Sequence, residues 1–80
     1  MELIFNKKAE KDLNKLPFSV AKKILIEINQ LKNFPNVKNV KKLTNFTPDY
    51  RFRIGDYRVL FEVENNNIII YRIVHRKDAY

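Results

Sequence analysis

The sequence predicts an α+β domain in which a two-helix hairpin packs on one face of a small, mostly antiparallel β-sheet. Two observations lead to this prediction. The first half of the chain has apolar residues at helical spacing, and the second half has strand-like alternation interrupted by two short turn sequences. Its 80 residues are enough for one domain, residues 1–80, with one modest core.

The first half is predicted to begin with a short strand over residues 1–5 and to continue into two helices. Asn6 is a good N-cap for a helix over about residues 7–16. Ser19 is predicted to cap a second helix that runs to about residue 33. Each helix has an apolar stripe, made of Ala9, Leu13 and Leu16 on the first and of Val20, Ile24, Ile28 and Leu31 on the second.

The second half is predicted to contain three strands that follow an irregular loop. Residues 36–49, which are rich in Asn, Lys and Thr, are interpreted as that loop. The strands are expected at about Tyr50–Ile54, Tyr57–Glu64 and 68–74, where apolar and polar residues alternate.

The Gly55-Asp56 pair sets the register of the first two of these strands. A glycine in first position between two alternating runs predicts a two-residue type II′ turn. That turn places Arg53 directly opposite Arg58 on the sheet face away from the helices, which we call the arginine face. Like charges opposite each other destabilise a sheet, so we expect an anion or a partner's carboxylate to lie between them.

The second hairpin turns within residues 65–67, three asparagines that accept positive φ. A two-residue loop would place Arg72 in the core, whereas a three-residue loop turns it outward. Burying an unpaired arginine is costly, so the three-residue loop is favoured and all five arginines then share the arginine face. The same face gains an apolar strip made of Leu60, Ile68, Ile70 and Val74. Such a strip indicates either a partner or cover supplied by the chain itself.

Charge and composition restrict the partners. Sixteen basic residues against nine acidic ones give a net charge of +7, which is typical of a domain that meets nucleic acid or an acidic protein. All five arginines follow residue 50, where their planar groups suit phosphate binding. Individual lysines such as Lys7, Lys8, Lys22 and Lys23 are interpreted as solvating the surface.

Other classes of protein are not indicated. The chain has no cysteine, which excludes disulfides and thiolate chemistry. A single histidine and scattered carboxylates make a poor ligand set, so neither a metal nor another cofactor is predicted. Since there is no signal peptide and no apolar run long enough to cross a bilayer, no membrane partner is expected and a cytoplasmic location is predicted.

Residues 50–80 resemble the RelE/ParE superfamily of toxins from type II toxin–antitoxin pairs, whose members have a RelE-like, microbial RNase-type fold. The motifs are YRFRIGDYRVLFEV over residues 50–63 and HRKDAY over residues 75–80. Upstream, the AxxDLxxLP pattern of residues 9–17 fits the first helix of the family. The resemblance therefore covers nearly the whole chain.

This resemblance implies a metal-independent endoribonuclease that cleaves mRNA in the ribosomal A site and is inhibited by a cognate acidic antitoxin. It implies that Arg58 and Arg76 are catalytic cations and that Tyr80 is the terminal tyrosine that stacks on a base. Arg51 and Arg53 correspond to the basic pair of the family, and Arg72 and Lys77 are expected to add phosphate contacts. His75 is a possible acid or base, although the predicted register turns it toward the core.

Three functions remain open from the sequence. The leading one is a RelE-like mRNA interferase, which the presence of Arg76 and Tyr80 favours. The alternatives are a ParE-like toxin that binds DNA gyrase and a catalytically inactive binding module of the same fold. In each case the antitoxin is expected to bind across the arginine face, on the strip of Leu60, Ile68, Ile70 and Val74, and the helical hairpin is the alternative docking surface.

Overall fold

A computed structural model of the chain describes residues 1–78 and contains one five-stranded sheet. The strands are β1 (Glu2–Phe5), β2 (Val40–Lys42), β3 (Tyr50–Ile54), β4 (Tyr57–Glu64) and β5 (Asn67–His75). Their order in the sheet is β1-β5-β4-β3-β2, and only the pairing of β1 with β5 is parallel. The predicted fold class is therefore confirmed. The short strand β2 lies within the stretch that was expected to be loop, so that expectation is wrong for its three residues.

The two helices form the predicted hairpin, with adjusted ends. Helix α1 spans Lys7–Asn14, and the Asn6 side chain accepts the Ala9 backbone N–H at 2.9 Å, as expected of its N-cap. Helix α2 spans Phe18–Ile28 and continues as a 3₁₀ helix over Asn29–Asn33. The predicted Ser19 cap is wrong: Pro17 occupies that position without a side-chain hydrogen bond.

The core lies between these helices and one face of the sheet. It joins the predicted helix stripes to alternate residues of the three long strands. Its fully buried members include Ala9, Ile24, Ile28, Leu31, Phe52, Val59, Phe61, Ile68 and Ile70. Since each strand buries alternate residues against the helices, the remaining residues form the opposite, arginine face.

The two hairpins differ in how well the sequence predicts them. Gly55 has φ +55, Ile54 pairs with Tyr57, and Arg53 pairs with Arg58, so the first hairpin is confirmed. The second hairpin turns on two residues, Asn65 and Asn66, which both have positive φ, as a type I′ turn requires. The predicted three-residue loop is therefore wrong.

A β-bulge at Tyr71 accounts for this difference. Ile70 pairs with Phe61 and Arg72 pairs with Leu60, which leaves Tyr71 without a partner on β4. The extra residue changes which positions face the core along β5. Before the bulge Ile68 and Ile70 face the helices, and after it Ile73 does.

The bulge also corrects the predicted apolar strip. Ile68 and Ile70 are 0% exposed in the core, so they do not lie on the arginine face and are not available for antitoxin binding. Leu60 and Val74 do lie on that face, where they pair with Arg72 and Arg58 respectively. Arg72 points away from the core as predicted, although for a different reason.

The carboxylate of Asp12 holds the bulged strand in place. Strand β1 ends at Phe5, opposite Ile70, and beyond that point α1 lies along the edge of β5. Asp12 accepts the backbone N–H of Ile73 at 2.9 Å and two bonds from Arg72, from Nε at 2.8 Å and Nη2 at 3.1 Å. A single side chain thereby satisfies an edge N–H of the sheet and pairs with an arginine.

This arrangement lowers the pKa of Asp12. Burial alone would raise the pKa of the carboxyl, but the hydrogen bonds from Arg72 and Ile73 and the charges of Arg72 and Lys15 outweigh it. A lowered folded-state pKa stabilises the protein above the unfolded value, about 3.9. That stabilisation is lost as the pH falls through the folded-state pKa.

We expect Asp12→Asn to lower the free energy of unfolding by about 1–2 kcal/mol at pH 7, because charged hydrogen bonds are replaced and Arg72 is 42% exposed. The difference from wild type should begin to shrink below about pH 4, where Asp12 of the unfolded chain takes up a proton, and should disappear only below the lowered pKa of the folded state. Urea unfolding at several pH values measures both effects. Glu10→Gln, an exposed change in the same helix, is the control and should stay within about 0.5 kcal/mol. An equal loss at pH 7 and pH 3 would contradict the assigned charge effect.

Candidate phosphate-binding site

The arginine face carries a basic cavity of about 330 Å³ on its β2 side, which we call the arginine cavity. Three neighbouring strands and the residue before β2 supply its walls. The lining residues are Asn39, Val40, Lys41, Arg51, Arg53 and Arg58. Sheet pairing brings these cations together, since Lys41 is opposite Arg51 and Arg53 is opposite Arg58. Three of the residues that the sequence assigns to phosphate binding or catalysis thus share one cavity.

Neutral acceptors hold the two opposed guanidinium groups. Arg53 Nη2 donates to the Asn39 side-chain oxygen at 3.2 Å. Arg58 Nη1 donates to the carbonyl of Gly55 at 2.9 Å and to that of Tyr57 at 3.0 Å. Within residues 1–78 neither arginine forms an ion pair with a carboxylate. Both side chains are therefore oriented while their positive charges stay uncompensated, which suits an incoming anion.

Arg76 lies at the same end of the sheet, in a 3₁₀ helix over Arg76–Asp78 that follows β5. Its backbone N–H donates to the carbonyl of Asp56 at 2.7 Å. Its Nε lies 3.7 Å from the Asp56 carboxylate, and because both side chains are more than half exposed this pair is weak. The Gly55-Asp56 turn thus contacts both predicted catalytic arginines. Gly55 accepts a hydrogen bond from Arg58, and Asp56 accepts one from Arg76.

The remaining predicted site residues lie in other surroundings. Arg72 is on the arginine face, but its guanidinium is engaged by Asp12, which raises its already high pKa. Lys77 is exposed, and its backbone N–H donates to Nδ1 of His75 at 3.2 Å. Tyr80, the predicted terminal tyrosine of the site, lies outside the described residues.

His75 faces the core, as its predicted register requires. It is the sheet partner of Tyr57, and the two rings meet edge to face with centroids 5.5 Å apart. Since its Nδ1 already accepts the Lys77 N–H, the imidazole is packed and oriented on the side of the sheet away from the arginine cavity.

The chain itself covers part of the predicted apolar strip. Pro48, in the loop between β2 and β3, is buried and lines a cavity together with Tyr71 and Arg72 of β5. To reach β5 from β3, this loop must cross β4 on the arginine face, where Leu60 is 9% exposed. Of the four residues in that strip, Leu60, Ile68 and Ile70 are buried, and Val74 is partly exposed on this face.

Comparisons with known proteins identify the family. Residues 3–80 match the family described as the ParE toxin of type II toxin–antitoxin system, parDE. The chain is 33% identical over 84 residues to Toxin RelE3 of Methanocaldococcus jannaschii, a match that covers 100% of this chain and 96% of the relative. The chain belongs to the RelE/ParE superfamily of toxins. It is a RelE-like toxin of a type II toxin–antitoxin system.

Solved structures support the fold of this RelE/ParE toxin. The toxin is similar to the RelB–RelE antitoxin–toxin complex from Methanococcus jannaschii, with a TM-score of 0.78 and 35% identity over 96% of this chain and 94% of the other. It also shares its fold with the ParDE system from P. aeruginosa, with a TM-score of 0.79 and 17% identity over 94% and 95% of the two chains.

An apolar groove on the helical hairpin of this toxin was not predicted from the sequence. A cavity of about 750 Å³ opens between α1 and α2, and Phe18, at 81% exposed, and Ile26, at 62%, stand at its wall. The signal was present in the sequence. Phe18, Lys22, Leu25, Ile26 and Asn29 recur at the spacing of a second helix face, next to the stripe that the core uses.

The described residues of the RelE/ParE toxin form neither a cluster of metal ligands nor a helix suited to span a membrane. Within residues 1–78, no three His, Asp or Glu side chains cluster as they would around a metal ion. None of the helices described over those residues is both long and apolar enough to span a membrane.

We expect inorganic phosphate to raise the melting temperature of this toxin by a few degrees relative to NaCl of equal ionic strength. Binding to the folded state alone stabilises it by about 1.4 kcal/mol when phosphate is tenfold above its Kd. The Arg53→Ala/Arg58→Ala variant should lose this response. Lys22→Ala/Lys23→Ala removes the same charge from α2 and should keep it. If both variants respond like wild type, the arginine cavity is not the phosphate site.

Proposed function

We propose that this toxin is an mRNA endoribonuclease that binds the scissile phosphate in the arginine cavity and acts on mRNA held by the ribosome. The observation that carries the proposal is the uncompensated pair of Arg53 and Arg58, with Arg51 and Lys41 beside it. An RNA backbone supplies the negative charge that the lining of this cavity lacks. The RelE name of the 33% identical relative supports the same activity.

The chemistry that suits these residues is transesterification within the RNA. The 2′-oxygen attacks the adjacent phosphorus, and the bond from phosphorus to the 5′-oxygen of the next nucleotide breaks. The 2′-hydroxyl loses its proton, the leaving oxygen gains one, and the products are a 2′,3′-cyclic phosphate and a 5′-hydroxyl. Extra negative charge develops on the phosphorane, and Arg58 and Arg76 are the cations proposed to stabilise it.

Proton transfer is the step for which the described residues are least equipped. An arginine does not give up its proton at working pH, so Arg51, Arg53 and Arg58 act as cations and not as bases. His75 packs against Tyr57 on the other face of the sheet. Tyr80 is the residue proposed to stack on a base and to assist proton transfer. A weak acid–base set fits an enzyme whose RNA is aligned by the ribosome, because alignment itself supplies much of the rate.

A second candidate function is inhibition of DNA gyrase by binding. It is favoured by the family description, which names a ParE toxin. A supercoiling assay with purified gyrase and a translation assay with purified ribosomes distinguish the two. Loss of supercoiling with intact mRNA would replace the nuclease proposal by the gyrase one.

The proposed partner is an acidic antitoxin, and the groove on the helical hairpin is its proposed apolar contact. This proposal replaces the strip on the arginine face, because Ile68 and Ile70 are buried in the core. Lys22 lies in the wall of the groove, and the exposed Lys23 follows it in α2. A helix with aliphatic residues on one face and carboxylates at its borders fits this combination.

We expect Arg58→Ala and Arg76→Ala each to reduce mRNA cleavage roughly a hundredfold, because each removes a transition-state contact of about 3 kcal/mol. Primer extension on mRNA from a reconstituted translation reaction measures the cleavage. Lys32→Ala, which removes an exposed cation that does not line the cavity, is the control and should cleave like wild type. Comparable cleavage by wild type and both arginine variants would refute the assignment.

We expect Ile26→Asp to weaken binding of the cognate antitoxin at least tenfold, because it places a carboxylate in an apolar contact. Titration calorimetry measures the affinity, and circular dichroism checks folding. Val74→Asp tests the arginine face with the same type of change and should have less effect. The reverse order of the two effects would place the antitoxin's apolar contact on the arginine face.

A further inference from the structure

A second basic cavity, of about 490 Å³, lies toward the β5 edge of the sheet and involves none of the residues of the arginine cavity. Three separate parts of the chain form it. They are the start of α1, the bulge of β5 and the tip of the loop between β2 and β3. Its lining residues are Asn6, Lys7, Lys8, Pro48, Tyr71 and Arg72.

The bulge gives this cavity an aromatic wall. Tyr71 has no cross-strand partner on β4, so its ring is freed from the regular alternation of the strand. Its hydroxyl lies 3.5 Å from the carboxylate of Glu62. Burial, together with the charges of Glu62 and Glu64, raises the pKa of Tyr71 above its ordinary value, so the ring is neutral at physiological pH. Pro48, buried at the same cavity, adds a second apolar surface.

The cations of the cavity are arranged unevenly. Lys7 and Lys8 are exposed and stand at the start of α1, and Arg72 is held by Asp12. Glu62 is the carboxylate on the tyrosine side. The α1 side of the cavity therefore carries two lysines, and the β5 side carries a neutral ring beside a hydrogen-bond acceptor. A nucleotide has the matching asymmetry, with an anionic phosphate at one end and at the other a flat neutral base that can donate hydrogen bonds.

We propose that this cavity is a second nucleotide subsite, in which a base of single-stranded RNA stacks on Tyr71 and its phosphate is bound by Lys7 and Lys8. The inference rests on the proposed RNA-directed function and extends it. Arg72 is separated from Arg51 by two strand spacings, about 10 Å, so the two cavities can contact one RNA strand that crosses the arginine face. An acidic peptide fits less well, because its carboxylates would meet Glu62.

The test is binding of a fluorescein-labelled RNA octamer in which every 2′-hydroxyl is methylated, so that cleavage cannot occur. Fluorescence anisotropy is measured for wild type, Lys7→Ala/Lys8→Ala and Lys22→Ala/Lys23→Ala. The two double variants lose the same charge from the starts of the two helices. We expect the first to bind about tenfold more weakly and the second to stay within about threefold of wild type.

Salt dependence separates a direct phosphate contact from a general charge effect. The slope of log affinity against log salt changes by about 0.7 per phosphate contact for single strands. Since Lys7 and Lys8 are proposed to bind one phosphate, their loss should reduce that slope by about 0.7, whereas the α2 variant should keep the wild-type slope. Equal slopes and equal affinities for the two double variants would overturn the subsite.

Two changes at Tyr71 examine the stacking contact. Tyr71→Phe keeps the ring and should bind like wild type, whereas Tyr71→Leu loses it and should bind roughly tenfold more weakly. Thermal unfolding of each variant checks that the bulge has survived. If Tyr71→Phe and Tyr71→Leu bind equally well, no base stacks there and the proposal is wrong.

The outcomes also separate this inference from the proposed function. If Arg53→Ala/Arg58→Ala weakens RNA binding but the Lys7, Lys8 and Tyr71 variants do not, the arginine cavity stands and the second subsite fails. If wild type does not bind the RNA, the second subsite fails, and cleavage in the translation reaction still decides the proposed function. If a polyglutamate peptide binds with the dependence on Lys7, Lys8 and Tyr71 expected of RNA and the RNA does not, the cavity is a protein contact and the subsite is again refuted.

Discussion

The bulge at Tyr71, held by Asp12, is the constraint on which the rest of the structure depends. Ile68, Ile70 and Ile73 are all in the core, but an unbroken strand cannot turn all three to one face, because 70 and 73 are three residues apart. One extra residue between them solves this, and it also turns Arg72 away from the core. Asp12 then accepts a hydrogen bond from the Ile73 N–H, which has no strand partner on that edge, and forms an ion pair with Arg72. Neither polar group is therefore left unpaired beside the core.

The ion pair of Asp12 with Arg72 also determines where positive charge remains on the arginine face. Because Asp12 engages Arg72, the uncompensated charge concentrates on the other side of the face, at the opposed Arg53 and Arg58. Their side chains bond to neutral oxygens of Asn39, Gly55 and Tyr57, which fix their direction without reducing their charge. Repulsion across this pair lowers stability until an anion arrives. A phosphate therefore gains both the direct contacts and the relief of that repulsion.

The sequence at each turn determines how much of the strand register could be predicted. Gly55-Asp56 allows one turn and one register, so the pairing of Arg53 with Arg58 followed directly. The run from Asn65 to Asn67 allows two loops, and the choice between them assumed an unbroken β5. Isoleucines occur at the even positions 68 and 70 and then at the odd position 73. This change in the alternation was the available signal for a bulge. Strand β2 has only three residues and is stabilised by its pairing with β3, so no local sequence pattern predicts it.

The candidate site was predictable to the extent that it lies within that first hairpin. Arg53 and Arg58 could be placed by alternation alone, and Arg51 follows from the same rule. The apolar groove was missed because the apolar residues of α2 were assigned to a single stripe. The helix has two such faces, and only the one with Ile24 and Ile28 is buried. The second cavity depends on Pro48 crossing the sheet from a loop, which no local rule predicts.

The positions of the two candidate surfaces limit how an antitoxin can inhibit the toxin. The groove lies on the outer side of the helices, and the arginine cavity lies on the opposite side of the sheet. A helix seated only in the groove would leave the arginines accessible to RNA. The smallest dimension of the toxin is 24 Å, so a segment that reaches from the groove to Arg53 and Arg58 around an edge of the sheet needs at least about seven extended residues. Inhibition by occlusion therefore requires a long, flexible acidic segment in addition to the helix, because a compact partner can cover one surface but not both.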